Sequence, residues 1–152
     1  MKYASSRLAE IRNFHAISDK LGTAGQPDED QFRLIREAGF EVVINLALPT
    51  SDNAIANEGS IVTSLGMSYF HIPVDFLCPQ SKDFKLFCQL MEAFEGRPVF
   101  VHCAANMRVS VFVYLYRVIV QGVTIANAEQ DLHAIWHPNP TWKQFIDEQL
   151  IQ

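Results

Sequence analysis

Residues 98–110 read Pro98-Val99-Phe100-Val101-His102-Cys103-Ala104-Ala105-Asn106-Met107-Arg108-Val109-Ser110. Pro98 to His102 is a short apolar run, which predicts a buried strand. Val109 to Val120 is apolar on nearly all sides, which predicts a buried central helix. Between them lies a cysteine, a loop of small residues and an arginine in the first helical turn. Each part has a physical use. Loop N–H groups can converge on an anion, and a helix N-terminus adds free donors and positive potential. Arg108 offers a planar fork that grips two oxygens of an oxyanion. The same potential favours Cys103 as a thiolate nucleophile. Ala104 and Ala105 leave room for close backbone approach, and Asn106 tolerates the positive φ of a tight cradle.

Outward from this loop, strands and helices alternate. Residues 5–13 carry a short helix, and 14–24 hold one or two short strands. Gly25-Gln26-Pro27-Asp28 is turn chemistry that opens a helix running to Ala38, closed by Gly39. Strands are predicted at 41–48 and 67–72 and helices at 54–65, 81–95, 125–136 and 140–150. The pattern predicts an α/β fold in three layers, a mainly parallel sheet with helices on both faces, in one domain spanning residues 1–152. Ligands in such sheets bind beyond the carboxyl ends of strands, where the 103–108 loop falls.

Composition narrows the functional classes. Of the 152 residues 49% are hydrophobic and 19% charged, as in globular domains, and the net charge is −5. That charge argues against nucleic acid or anionic membranes as partners, so attraction of a substrate must be local. Three cysteines without tight spacing, Cys78, Cys88 and Cys103, do not form a disulfide framework. Cys88 follows Phe87 on an apolar helix face and reads as core. His133 and His137 are four apart, but a third metal ligand is missing, so neither a metal nor a cofactor is expected. The first residues, Met1 to Arg7, lack the apolar stretch of a signal peptide, and a reducing cytoplasm is the expected setting.

The loop resembles that of the cysteine-dependent protein tyrosine phosphatases, closest to the dual-specificity-like branch and its bacterial relatives. The hallmark there is His-Cys, five residues, Arg, then Ser or Thr, matched here by His102, Cys103, Arg108 and Ser110. Gly39 to Leu46 resembles the family's early strand, and Tyr69-Phe70-His71-Ile72-Pro73-Val74-Asp75 the strand entering its acid loop. The likeness runs in order through roughly residues 20–150. It implies a phosphate monoester hydrolase with Cys103 as nucleophile and Arg108 on the phosphoryl group. Asp75 is the general acid, and Ala104, Ala105, Asn106 and Met107 complete the oxyanion-binding loop. His102 orients the loop through hydrogen bonds. Substrates are a phosphorylated protein or a small phosphorylated molecule. Gln26, in the Thr23–Pro27 turn, is a further residue within reach.

One departure stands out. Four residues separate Cys103 from Arg108, where the family has five, and the loop glycine is absent. Shifting an arginine by one helix position turns it by ~100° around the axis. Either the loop is one residue short with Arg108 in its usual place, or Ser110 keeps its distance from Cys103 and donates to the sulfur while Arg108 is displaced. The short loop also resembles that of the rhodaneses, which carry sulfur as a persulfide on cysteine. Sulfur transfer on Cys103 and a non-catalytic module that holds a phosphorylated ligand are therefore the competing readings. On the acid loop, Cys78 is a candidate disulfide partner for Cys103 under oxidation.

Overall fold

The computed structural model describes residues 6–152; the expected helix start at residue 5 and the leader question at Met1 to Ser5 lie outside them. A 3-10 turn at Leu8–Glu10 precedes five strands: β1 His15–Ser18, β2 Leu21–Ala24, β3 Val42–Asn45, β4 Ser68–His71 and β5 Val99–His102. Six α-helices accompany them: α1 Glu29–Glu37, α2 Glu58–Ser64, α3 Ser81–Ala93, α4 Met107–Ile119, α5 Ile125–Ile135 and α6 Pro140–Ile151. The strands form one sheet in the order β1-β2-β5-β3-β4. β1 runs antiparallel to β2; every other pair is parallel. The fold is thus α/β, with a mainly parallel sheet.

Strand alternation divides the core in two. Val42, Ile44, Val99 and Val101 face α3, α4, α5 and α6, whose Phe87, Phe112, Leu115 and Trp142 fill that side. Val43 and Phe100 face the opposite way, toward Phe32 and Ile35 of α1 and Val62 of α2. Helices therefore cover both faces of the sheet. β5 is central and buried along its whole length, which is why its residues read as a continuous apolar run.

Local signals set the helix ends. Asp28 and Gln31 form a reciprocal capping box on α1. Thr124 caps α5, and Asn139 caps α6 with Pro140 in its first turn. One boundary differs from the sequence reading. The helix expected at 54–65 begins only at Glu58, because Asn57 takes a left-handed φ of 64° that cannot continue a helix. The central helix begins at Met107, after Asn106 at φ 67°, which puts Arg108 in its first turn as the sequence predicts. The oxyanion loop and the central helix thus share residues. Among the described residues no helix is long and apolar enough to cross a membrane.

Candidate active site

β5 delivers Cys103 at its carboxyl end, and the loop there is held by its outward-facing carbonyls. The Ala104 carbonyl accepts the Gln26 N–H at 3.2 Å and Asn53 Nδ2 at 3.1 Å. The Ala105 carbonyl accepts Asn13 Nδ2 at 2.9 Å. A trans peptide points its N–H opposite its C=O, so fixing the Ala104 carbonyl outward turns the Ala105 N–H inward. The first-turn amides of α4 have no acceptor within the helix and add further donors. Free backbone donors beside a cysteine are an arrangement that can hold an anion.

That cradle forms the floor of a cavity of about 520 Å³. Cys103, Ala104, Ala105, Met107 and Arg108 line it, together with Asp75, Arg12 and residues of the 50–53 loop. Of the loop residues singled out in sequence, Asn106 is absent from the lining. Its side chain is buried and turned outward, with Nδ2 donating to the Asn13 carbonyl at 2.9 Å and to the Thr23 hydroxyl at 3.1 Å. Asn106 supplies the left-handed turn and ties the loop to β2; its side chain does not touch the cavity.

Arg108 is buried, and its Nη1 donates to the Val74 carbonyl at 2.9 Å. Its guanidinium carbon lies 5.8 Å from the centre of the Phe76 ring, within cation–π range. The residues on both sides of Asp75 are thereby engaged, since Trp142 Nε1 also donates to the Phe76 carbonyl at 2.8 Å. Phe76 packs on Trp136 and Trp142. Asp75 itself is exposed at the cavity edge, where its Oδ1 accepts the Leu77 N–H at 2.9 Å. The two tryptophans brace the loop that carries Asp75.

Ser110 requires a correction. Its hydroxyl donates to the Met107 carbonyl at 2.8 Å and accepts Trp136 Nε1 at 3.0 Å. It lies outside the cavity lining, so its proton is not given to the sulfur. The residue supports the first turn of α4 instead. Cys78 is exposed and outside the lining, and Cys88 sits partly buried in the core, where burial and then Glu92 push its thiol up to about 12. The rings of His133 and His137 lie 4.5 Å apart, and among the described residues no third donor joins them.

His102 is fully buried behind the cradle. Its Nδ1 lies 3.3 Å from the Cys103 carbonyl, and its Nε2 donates to Glu58 Oε2 at 2.7 Å. Glu58, itself buried, also accepts Gln26 Nε2 at 2.6 Å. Burial alone would raise the Glu58 carboxyl, but His102, Gln26 and Tyr69 outweigh it and hold the group below the ordinary carboxylate value. Gln26 therefore reaches the cradle from outside, with its backbone on Ala104 and its side chain on Glu58. Sequence reasoning missed Glu58, Arg12 and Asn53. None carries a local signal, because each meets the loop only through the tertiary fold.

The fold and the cysteine cradle define a class, the cysteine-based phosphatases of the dual-specificity type. The family model described as DSP-PTPase phosphatase fused to NAD+ kinase matches residues 12–147, and the chain belongs to that family. It is similar to a DUF442 candidate phosphatase from Shewanella putrefaciens CN-32, at 35% identity and TM-score 0.85 over 96% of both chains. TpbA of P. aeruginosa, solved with pTyr, matches at 17% identity and TM-score 0.65, covering 80% of this chain and 72% of that one. The core catalytic domain of the PP-IP phosphatase SIW14 from S. cerevisiae matches at 13% and 0.70, over 90% and 85%. The last two share the fold. No curated protein matches the sequence. The chain is a phosphatase hydrolase acting on phosphorylated substrates; neither sulfur transfer nor ligand holding without turnover draws support from these relatives.

Proposed function

We propose that this phosphatase works through a phosphocysteine intermediate, with Cys103 as nucleophile, Arg108 and the loop amides as phosphoryl clamp, and Asp75 as general acid. The observation that carries this is that the three side chains, from two segments far apart in sequence, line one cavity. The Cys103 sulfur attacks phosphorus, an S–P bond forms, and the ester P–O bond breaks. Asp75 gives its proton to the leaving oxygen. Water then attacks the phosphocysteine, Asp75 takes its proton back, and phosphate leaves with the thiolate restored. Charge on the transferring oxygens is met by donors already in place, which lowers the barrier without reorganisation.

Relatives of the fold are associated with pTyr and with a PP-IP, so a phosphorylated protein side chain and a small phosphorylated molecule are both within its range. Three free cysteines agree with a cytoplasmic setting. Hydrolysis of p-nitrophenyl phosphate tests the chemistry. Cys103→Ser should abolish turnover and keep phosphate or vanadate binding. Asp75→Asn should lower kcat by roughly 10²–10⁴-fold on a phenyl ester and less on p-nitrophenyl phosphate, whose leaving group needs little protonation. Full activity in Cys103→Ser would sink the proposal.

A further inference from the structure

We propose that Arg12 is a second anion-binding group of the Cys103 cavity, which makes the preferred substrates phosphate monoesters bearing another negative group. This rests on the phosphatase reading above and narrows its substrate class.

Arg12 lines the same cavity as Arg108, from a different segment. Arg33, Arg97 and Arg117 each pair with a carboxylate, at 2.7, 2.9 and 2.6 Å. Arg108 is engaged by Val74. Among the described residues no carboxylate lies within 4.0 Å of the Arg12 guanidinium. Its charge is permanent and its planar fork fits two oxygens of a phosphate or carboxylate.

The backbone of Arg12 is held against the loop that carries Cys103. Its carbonyl accepts the Gly25 N–H at 2.7 Å. The next residue, Asn13, donates to the Ala105 carbonyl and accepts from Asn106. The turn that carries Arg12 is therefore bolted to the loop that carries Cys103. The exposed Arg12 side chain extends from this held backbone, so its reach favours substrates of some lengths over others.

Charge and size agree. The chain's net charge of −5 gives no general attraction for anions, so recognition falls to local cations. Arg12 and Arg108 are the two cations of a lining that also carries Asp52 and Asp75, and Arg108 is already engaged by Val74, which leaves Arg12 as the cation open to a second anion. A cavity of about 520 Å³ holds a whole small molecule and not merely a phosphoryl group.

The test uses α,ω-alkanediol bisphosphates of two to six carbons and their monophosphates as probes. Binding is measured by calorimetry on Cys103→Ser, with and without Arg12→Ala or Arg12→Gln. The best-fitting bisphosphate should bind about tenfold or more tightly than its monophosphate, as expected of a charge-assisted clamp. Either Arg12 variant should bring the ratio close to one, and Arg12→Lys should restore part of it. A ratio near one at every length, or one that both neutral variants leave intact, overturns the proposal. Hydrolysis of the same probes by the unmodified chain reports separately on the phosphatase reading. Turnover without discrimination sinks the Arg12 proposal alone. Discrimination without turnover sinks the phosphocysteine mechanism and leaves Arg12 as an anion-binding group.

Discussion

Glu58 shows how a single buried carboxylate reaches the chemistry without touching it. It holds His102 from behind, and His102 stands against the carbonyl of Cys103. Its native pKa lies below the ordinary 4.5, so its contribution to stability is complete above that pH and is lost as the pH falls through the lower native value. Glu58→Gln should lower the melting temperature near neutrality. The gap between variant and parent should shrink as the pH is taken below about 4, which circular dichroism between pH 3 and 7 would follow. A gap independent of pH would deny the carboxylate this role. His102 was legible in the sequence because it adjoins the cysteine. Glu58 was not: helical spacing cannot separate a solvated glutamate from one whose partner lies 44 residues away. Asp75 was singled out by the resemblance of Tyr69–Asp75 to the family's strand and acid loop, whereas the bracing of its neighbours Val74 and Phe76 by Arg108 and Trp142 came only with the fold.

Among the elements, the cradle depends on a turn outside itself. Gly25 pairs with Ala105 across an isolated bridge. A Cβ on Gly25 would stand 2.7 Å from the Ala104 carbonyl oxygen and 3.1 Å from the Ala105 Cα. Both are backbone atoms of the oxyanion loop, so Gly25→Ala must push the loop inward. Steady-state kinetics should show a loss of at least tenfold in kcat/KM for an aryl phosphate, since ~1 Å of misplacement can cost 10²-fold. The far-UV spectrum should stay native. Full activity in Gly25→Ala would mean that the loop is set by other contacts. The sequence marked Gly25 to Asp28 as a turn and a helix start, which is correct, but turn chemistry does not say what the turn leans on. The same limit explains the helix starts. Asn57 and Asn106 end the preceding loops by adopting left-handed φ, and asparagine only permits that conformation.

Across the whole molecule, alternating strands and helices were enough to predict a parallel sheet covered on both faces. The short apolar runs at Val42–Asn45 and Val99–His102 could be placed because parallel central strands are buried on both sides. Their order β1-β2-β5-β3-β4 could not, since no local pattern tells one parallel neighbour from another. That order puts β1 at the edge and sends the Arg12–Asn13 turn, just before it, across to the loop after β5. The consequence is thermal. Edge hairpins open at lower free energy than cores, and this hairpin carries part of the clamp on the catalytic loop. Inactivation should therefore run ahead of melting: on a temperature ramp, activity should disappear several degrees before the far-UV ellipticity, which reports the helices and sheet as a whole. Coincident midpoints would show that the hairpin opens only with the rest of the sheet.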